Sequence, residues 1–255
     1  MKCLIIAAGQ GSRLRQRAES KPLVAILGIP LIEHIIRRAV GAGVDEFFVV
    51  SGYQGPKLRR HLDAFSTRAG VPIQHIVNHR WKEPNGLSVL AAKDYLQEDF
   101  VLLMSDHLFD PDILRGLIAT QQETAVLTLA VDSRLDNPFV DVNDVTRVLH
   151  RDGKILEIGK GIMDYNAYDT GIFYCRPRLF AALETSVVEA ADASLSGGVR
   201  VLARNGCAEI YDIGSGFWLD VDDSRGFVKA EVALVEGADS DGSSADRGVA
   251  QLARC

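Results

Sequence analysis

The sequence predicts a single α/β domain whose mostly parallel sheet is covered by helices on both faces. Two observations favour this fold class. First, short apolar runs alternate with segments whose apolar residues recur at helical spacing through most of the first half of the chain. Second, a chain of 255 residues with 47% hydrophobic content is large enough for the core of one such domain.

The alternating part contains four predicted strands and four predicted helices. The strands are predicted at Lys2–Ala8, Glu46–Ser51, Pro72–Val77 and Phe100–Met104. The helices are predicted at Leu31–Val40, Lys57–Phe65, Leu87–Leu96 and Pro111–Thr120. Because a helix follows each strand, the pattern predicts right-handed crossover units and a parallel sheet.

The alternation weakens in the second half, where turn residues separate short strand patterns. These strands are predicted at Ala125–Val131, Val145–His150, Ile155–Ile158 and Gly171–Tyr174. We expect this half to add strands of mixed direction and to cover the site. The later segment Gly237–Gly248 is rich in Gly, Ser and Asp and has too little apolar surface to offset the entropy of ordering. The domain is therefore predicted to cover residues 1–236, followed by a flexible polar tail at 237–255.

Charge and hydropathy exclude several classes of function. The net charge is −6, and the 28 basic residues are spread among 34 acidic ones, so no basic stripe favours nucleic acid as a partner. The first apolar run is too short for a signal peptide, and no run approaches the about 20 apolar residues of a membrane span. We therefore expect a cytoplasmic protein. Its scattered cysteines are predicted to be reduced and mostly buried: Cys3, Cys175, Cys207 and Cys255.

A glycine-rich loop, Gly9 to Leu14, follows the first predicted strand. Ligands of open α/β sheets bind at the carboxyl ends of the strands, and glycines there let backbone N–H groups approach an anion. Arg13 and Lys21 could neutralise phosphate charge, although a tight turn with two surface cations would look the same. The loop is neither a dinucleotide fingerprint, since Leu14 replaces the third glycine, nor a P-loop.

Carboxylates in two separate segments form a candidate metal site. Asp106 follows the fourth predicted strand, and Asp220 and Asp222 lie two apart, so both would point to the same side of an extended segment. Hard oxygen ligands suit Mg²⁺, which keeps its other positions for water and phosphate. The alternative is helix capping, which we prefer for Asp223, before a helix predicted to begin near Ser224.

The run Leu4 to Leu14, followed by Lys21-Pro22-Leu23-Val24 and by Gly28-Ile29-Pro30-Leu31-Ile32, resembles the signature of nucleotidyltransferases that make activated sugars and alcohols. The resemblance covers roughly residues 2–235. It implies a Rossmann-like, mostly parallel sheet flanked by helices, of the nucleotide-diphospho-sugar transferase type, with a mixed-strand half that binds the acceptor. It also implies direct transfer of a nucleotidyl group, with release of pyrophosphate.

The same resemblance implies roles for individual residues. The catalytic cations would be Arg13 and Lys21. The nucleotide would bind to Ala7, Ala8, Gly9, Gly11, Ser12, Asn85, Gly86 and Ser88. The acceptor would bind to Lys160, Thr170 and Gly171, and Mg²⁺ to Asp106 and Asp220, with Asp222 a second candidate. Two alternatives remain open: Asn85-Gly86 could be an ordinary helix start, and Lys160 a solvated surface lysine.

Within that family the chain is most similar to the CTP:inositol-1-phosphate cytidylyltransferases. Four features carry this similarity: Met-Ser-Asp-His ending at His107, the segment beginning Asn85-Gly86, Tyr165-Asn166 before Asp169, and Trp-Leu-Asp-Val-Asp ending at Asp222. The implied partners are CTP and a phosphorylated small-molecule acceptor. Since no membrane-embedded helices follow, we expect the free-standing form, and an oligomer is possible.

Three other functions remain open at this stage. The first is a phosphocholine or phosphonate cytidylyltransferase, and the second is a sugar-1-phosphate thymidylyl- or uridylyltransferase. The third is a catalytically silent nucleotide-binding regulatory subunit, against which the intact set Arg13, Lys21, Asp106 and Asp220 argues. His75 and His79 are four apart in a predicted strand, a spacing that does not bring ligands together, so no metal is assigned to them. His107 could contact the acceptor or simply pack.

Overall fold

The structure, a computed structural model, describes residues 1–14, 20–120 and 124–240. In the first half the strands are β1 (Lys2–Ala7), β2 (Ala25–Ile26), β3 (Ile29–Pro30), β4 (Glu46–Ser51), β5 (Ile73–Val77), β6 (Phe100–Met104) and β7 (His107–Phe109). The helices are α1 (Leu31–Gly41), α2 (Gly55–Ala69), α3 (Gly86–Leu90) and α4 (Pro111–Ala119), with short 3₁₀ turns at Ser12–Leu14 and Lys21–Leu23.

The second half holds more regular structure than the sequence pattern predicts. Its strands are β8 (Leu127–Asp132), β9 (Arg147–Arg151), β10 (Lys154–Gly159), β11 (Ala167–Cys175), β12 (Ala208–Asp212) and β13 (Trp218–Asp220). Its helices are α5 (Arg178–Ala190), α6 (Leu195–Arg204) and α7 (Ser224–Ser240).

Among the described residues, nine strands form the main sheet in the order β5-β4-β1-β6-β11-β8-β12-β10-β9. The pairs β4–β5, β1–β4, β1–β6 and β8–β12 are parallel. Strand β11 runs antiparallel to both of its neighbours, β6 and β8, and β10 is antiparallel to β12 and β9. The prediction of a Rossmann-like, mostly parallel sheet joined to a half of mixed strands is therefore confirmed.

The register of the central strands explains where a ligand site forms. Ile6 of β1 pairs with Val50 of β4 on one side and with Met104 of β6 on the other. The carboxyl ends of these strands therefore lie at the same edge of the sheet. The glycine loop that follows β1 and Asp106, which follows β6, both begin at this edge.

The continuous apolar run of β1 is buried on both faces. Cys3 and Ile5 belong to one core cluster, which also takes in residues of α1, α2 and α4. Leu4 and Ile6 belong to the other, which takes in residues of α3, α5 and α6. A parallel strand covered on both faces needs this composition. Cys3 and Cys175 are free buried thiols whose pKa burial raises, Cys207 is half-buried, and Cys255 lies outside the described residues.

Several element boundaries differ from the prediction. Helix α3 ends at Leu90, six residues before the predicted end at Leu96, and turns follow it. Helix α7 begins at Ser224 as predicted and continues to Ser240, so the first four residues of the predicted tail extend it. The rest of that tail lies outside the described residues and stays a prediction. Within the described ranges, no helix combines the length and the apolar character needed to span a bilayer.

Candidate active site

Gly11 lets the glycine loop fold against Lys21. Its φ is +55°, and a Cβ added there would lie 2.3 Å from the Cβ of Lys21. Arg13 lies in the first short 3₁₀ turn, and Lys21 begins the second. Residues 15–19 and the side chain of Ser12 lie outside the described part of the chain. The glycine is therefore required both for its backbone conformation and for the close approach of the lysine.

The ammonium of Lys21 is surrounded by three carboxylates. Its Nζ lies 2.6 Å from Asp106 Oδ2, donates to Asp222 Oδ1, and is 4.0 Å from Asp220 Oδ1. The side chain is only 7% exposed. Burial disfavours the charged amine, but the three carboxylates outweigh burial and raise the pKa of Lys21 above its ordinary value. The predicted catalytic lysine and the three predicted metal ligands thus meet at one point.

Strand pairing brings the carboxylates together from distant parts of the chain. Strand β13 pairs with β7 so that Asp220 lies opposite His107, and the backbone N–H of Val221 donates to the carbonyl of Asp106 at 2.8 Å. The indole Nε1 of Trp218 donates to the fully buried Asp132 at 2.8 Å, which fixes the start of β13. The position of Asp220 is therefore set by backbone and buried contacts.

This cluster fits a divalent cation. Asp106, His107 and Asp220 each offer a ligand atom, and these atoms lie within 4.8 Å of one another. Among the described residues, Oδ1 of Asp220 is buried and has no hydrogen-bond partner. A buried carboxylate oxygen without a partner is costly unless a cation or water satisfies it. Carboxylate oxygens on two segments suit a hard cation that also binds phosphate.

His107 lies beside the carboxylates and is held by its other nitrogen. Its Nδ1 is 2.7 Å from the carbonyl of Thr170, and its Nε2 is 3.7 Å from Asp106 and 3.6 Å from Asp220. Burial opposes protonation, but Asp220 and Asp106 outweigh it and raise the pKa of His107 to about 10. Gly171 has a φ of +74°, and a Cβ there would lie 2.1 Å from His107 Nδ1. The pattern of residues alone does not distinguish contact with the acceptor from simple packing for this histidine, whereas the structure places it beside the carboxylates.

Two cavities open on either side of the carboxylates. The smaller, about 260 Å³, is lined by Ala8, Gly9, Gly11, Trp81 and Ser88 among others. The larger, about 430 Å³, is lined by Arg13, Thr146, Lys160, Asp169 and Gly171 among others. Asn85, Met104, Asp106 and Asp222 line both. Four residues predicted for the nucleotide therefore line only the smaller cavity, and Lys160 and Gly171, predicted for the acceptor, line only the larger one. Of the predicted metal ligands, Asp106 and Asp222 line both cavities and Asp220 lines the larger one.

Some predicted binding residues have structural partners of their own. The hydroxyl of Thr170 donates to the carbonyl of Ala130 at 2.7 Å, away from the cavities, so its backbone carbonyl is the group nearest the site. Ala7 is buried in the core beside the loop. For these two residues and for Gly171, a role in binding stays a prediction, and the structure favours support of the site by backbone and packing.

The segment predicted to recognise the nucleobase is tied to helix α6. Asn85 Oδ1 accepts a hydrogen bond from the backbone of Leu195 at 2.9 Å. A Cβ on Gly86 would lie 2.5 Å from the carbonyl of Ala193, and Ser88 Oγ accepts from Asn78 at 3.0 Å. The short helix α3 begins here, so the glycine serves close packing of two helices as well as any ligand.

Two further carboxylates line the larger cavity: Asp144, for which the sequence predicts no role, and Asp169, which begins the segment Asp169-Thr170-Gly171-Ile172 for which the family resemblance implies acceptor binding. Asp144 accepts from Arg13 Nη1 at 2.7 Å and from Lys160 Nζ at 2.5 Å, and these hydrogen bonds hold the pKa of Asp144 well below its usual range. Asp169 is half-buried beside Gly171, whose N–H donates to it at 2.8 Å, and loss of hydration on burial raises the pKa of Asp169 to about 6. Asp144 lies in a polar loop where no motif marked it.

Asp223 has the capping role that the sequence predicted. Its Oδ1 accepts from the backbone N–H groups of Arg225 and Gly226, both at 2.8 Å, at the start of α7. Its neighbour Asp222 instead points toward Lys21 and Arg13, and Oδ2 of Asp222 is 2.6 Å from Arg13 Nη1. Of these two adjacent carboxylates, Asp223 therefore caps a helix and Asp222 contacts the cations of the site.

Comparison with known proteins assigns the family. Residues 3–153 match the MobA-like NTP transferase domain. The chain is 33% identical over 229 residues to the bifunctional IPC transferase and DIPP synthase of Rubrobacter xylanophilus, covering 86% of this chain and 48% of that protein. A protein of the same name from Archaeoglobus fulgidus is 29% identical over 238 residues, covering 93% and 44%. The chain thus spans about half the length of these curated relatives.

Solved structures show the same fold. The inositol-1-phosphate CTP transferase from T. maritima superposes with a TM-score of 0.80 at 24% identity, covering 96% of this chain and 98% of that one. A UDP-glucose pyrophosphorylase complexed with UDP-glucose gives 0.76 at 18% identity, covering 92% and 98%. The fold, the site geometry and the family match agree: the chain belongs to the family of MobA-like NTP transferase domains.

Proposed function

We propose that this protein is a cytidylyltransferase that condenses CTP with inositol-1-phosphate to give CDP-inositol and pyrophosphate. One observation carries the proposal: Asp106 and Asp222 line both cavities, and the ammonium of Lys21 binds both of these carboxylates. A triphosphate in the smaller cavity and a phosphate ester in the larger would meet at this junction. Nucleotidyl transfer needs two adjoining binding sites that hold the attacking phosphate next to the α-phosphorus of the nucleotide, with charged groups where they meet.

The reaction is a direct displacement at phosphorus. An oxygen of the acceptor's phosphate attacks the α-phosphorus of CTP, and a new P–O bond forms between the two phosphates. The bond from the α-phosphorus to the oxygen bridging to the β-phosphorus breaks, and pyrophosphate leaves with that electron pair. A phosphate monoester is already an anion near neutral pH, so the reaction needs positioning and charge stabilisation rather than a general base.

The cations of the site supply part of that stabilisation. Lys21 would neutralise charge at the α-phosphate. Arg13 lines the larger cavity and contacts Asp222, which lines both, and from this junction it would hold the departing β- and γ-phosphates. Three carboxylates face these two cations at the junction. A triphosphate therefore needs further positive charge there. Mg²⁺ held by Asp106 and Asp220, with Asp222 as a further candidate, would supply it when bound.

The choice of CTP and inositol-1-phosphate is supported by likeness to relatives. Four curated relatives, including the two named above, carry the name bifunctional IPC transferase and DIPP synthase. The similar T. maritima structure is that of an inositol-1-phosphate CTP transferase. The acceptor cavity agrees with a polyol phosphate, because it combines Lys160 for the phosphate with carboxylate and hydroxyl groups of Asp169 and Thr146. A cytoplasmic location belongs to the same proposal.

Pyrophosphate release tests the substrate assignment. CTP, UTP, dTTP and ATP would each be paired with inositol-1-phosphate, phosphocholine and glucose-1-phosphate in the presence of Mg²⁺. We expect release only with CTP and inositol-1-phosphate. Release with UTP and glucose-1-phosphate would favour a sugar-nucleotide enzyme instead. The UTP–glucose-1-phosphate uridylyltransferase of Haloferax volcanii is 32% identical to this chain over 139 residues, covering 52% of this chain and 55% of that protein. No release with any pair would favour an untested acceptor or a regulatory subunit.

Asp106→Asn tests the junction itself. Loss of this carboxylate should lower kcat by at least about 10²-fold, since single charged contacts of a transition state contribute on that order. The control is Asp110→Asn, because Asp110 caps α4 by accepting from Asp112 N and asparagine caps equally well. Equal activity of both variants would remove Asp106 from the mechanism.

A further inference from the structure

An alternating row of five charges runs from one cavity to the other. In order these residues are Lys21, Asp222, Arg13, Asp144 and Lys160, and we call them the ionic row. Asp222 binds Lys21 through Oδ1 and Arg13 through Oδ2, the latter at 2.6 Å. Asp144 binds Arg13 through Oδ2 at 2.7 Å and Lys160 through Oδ1 at 2.5 Å. Each carboxylate thus uses a separate oxygen for each cation.

The two ends of the ionic row are held very differently. Lys21 is 7% exposed and is packed against Gly11, whereas the side chain of Lys160 is 61% exposed. Among the hydrogen bonds of the described residues, the ammonium of Lys160 has Asp144 as its one acceptor. A lysine on the surface loses considerable rotamer entropy when it is fixed, so Lys160 would otherwise sample solvent.

Asp144 is itself well anchored. It lies in the loop between β8 and β9, where its backbone N–H donates to the carbonyl of Asp141 at 3.1 Å. Arg147 holds the same loop by donating to the carbonyls of Val142 and Ile162. The carboxylate of Asp144 therefore has a fixed position from which it can orient a mobile partner.

We propose that Asp144 is a positioning residue for the acceptor: it holds Lys160 at the larger cavity and ties it to Arg13 of the nucleotide loop. The proposal rests on the proposed function, because it assigns Lys160 to the acceptor's phosphate. The ammonium has three N–H donors, and one bond to Asp144 leaves two for a phosphate. Asp144 touches no reacting atom and acts only through the two cations.

Removal of Asp144 has two opposing effects on acceptor binding. Loss of the hydrogen bond frees Lys160, which weakens binding, while loss of one negative charge at the cavity lets an anion approach more easily. Asp141 separates the two effects. It lines the same cavity, and its carboxylate accepts from the backbone of Asn143, with no cation among its partners in the described part of the chain. Asp141→Asn therefore measures the effect of the charge without the effect of positioning.

The first test compares steady-state kinetics of the two variants. Relative to Asp141→Asn, Asp144→Asn should raise the KM for inositol-1-phosphate about tenfold, or ~1.4 kcal/mol. Arg13 keeps its ion pair with Asp222 in this variant, so the KM for CTP and kcat should change less than about twofold by comparison. Asp144→Glu should recover part of the acceptor affinity. An acceptor KM that stays equal to that of Asp141→Asn, or falls below it, would overturn the proposal.

A double-mutant cycle with Lys160→Met tests whether Asp144 acts through the lysine. If it does, Asp144→Asn should add little to the acceptor KM once Lys160 is methionine, because the interaction is already gone. Effects of the two substitutions that multiply independently would contradict the assignment. Thermal unfolding of all variants checks that the loop change leaves the fold intact.

A third test does not depend on any substrate. The rate at which an amine-acylating reagent labels Lys160 would be measured by mass spectrometry in the ligand-free protein. Labelling should be faster in Asp144→Asn than in Asp141→Asn or the wild type. Equal rates would overturn the positioning role whatever the substrate. Faster labelling in a protein inactive with every substrate pair would uphold the positioning role while the proposed function fails.

Discussion

The two ends of the ionic row show how differently the two sides of the site are built. On the nucleotide side, Lys21 is buried against Gly11 among three carboxylates whose positions are fixed by β6, β7 and β13. On the acceptor side, Lys160 is largely exposed and is held by Asp144, a carboxylate from a loop that also contacts Arg13 of the nucleotide loop. Packing fixes the first side, and ion pairs in contact with solvent fix the second.

This difference bears on what substitutions on each side should do. Exposed ion pairs contribute little to stability, about 0–1 kcal/mol, and depend on salt. Changes on the acceptor side should therefore alter binding of the acceptor while leaving the fold and kcat largely intact. Changes on the nucleotide side should damage catalysis and stability together.

Lys21→Met should have the largest effect. It removes the cation from the junction and leaves Asp106, Asp220 and Asp222 to repel one another and the triphosphate. We expect kcat with CTP to fall by about 10²-fold or more. The comparison is Lys160→Met, which should mainly raise the KM for the acceptor. If both variants mainly lowered kcat, or both mainly raised the KM for the acceptor, the contrast between the nucleotide side and the acceptor side would be wrong.

The sequence predicts the nucleotide side of the site better than the acceptor side. Strands β1, β4 and β6 are continuous apolar runs, because both of their faces are covered, and such runs are visible without a structure. The glycine loop and the carboxylates follow these strands directly. Helices α5 and α6 and strand β12 belong to the half whose periodicity was weaker, and they were not predicted.

Asp144 could not have been found from the pattern of residues. Its partners Arg13 and Lys160 are 131 and 16 positions away, and the loop that carries it has no motif. The role of His107 does not follow from the pattern of residues either, because its orientation depends on the carbonyl of Thr170 and on the absence of a side chain at Gly171. Contacts of this kind are set by tertiary structure, so composition and spacing do not reveal them.

Gly11→Ala tests whether packing fixes the nucleotide side. The new methyl group would collide with Lys21 Cβ, and alanine would have to adopt a φ of +55°. We expect the free energy of unfolding to fall by about 2–3 kcal/mol. Gly9→Ala is the control, since a Cβ there has open space within 4 Å. Chemical denaturation without ligands measures both, and a Gly11→Ala protein as stable as Gly9→Ala would contradict this account.

Asp169→Asn should give a smaller, pH-dependent effect. Burial raises the pKa of Asp169 to about 6 in the folded protein, above the roughly 4 expected when unfolded. The folded state holds this proton more tightly, so the wild type loses stability as the pH rises from about 4 through 6. Asparagine is neutral throughout and can still accept from Gly171.

The variant should therefore match the wild type near pH 4 and be more stable near pH 8, by on the order of 2 kcal/mol. Denaturation in the presence of a chelator at both pH values measures this difference. A variant that is less stable than the wild type at pH 8 would show that the ionised carboxylate is favourably paired in the folded protein.

Isotope labelling tests the central claim most directly, namely that the acceptor's phosphate oxygen attacks the α-phosphorus of CTP at the shared junction. Inositol-1-phosphate labelled with ¹⁸O in its non-bridging phosphate oxygens would be incubated with CTP and Mg²⁺. The ¹⁸O content of each product would then be measured by mass spectrometry. The account predicts that CDP-inositol retains all of the label and that pyrophosphate contains none. Label in the pyrophosphate, or a cytidine product without label, would contradict it.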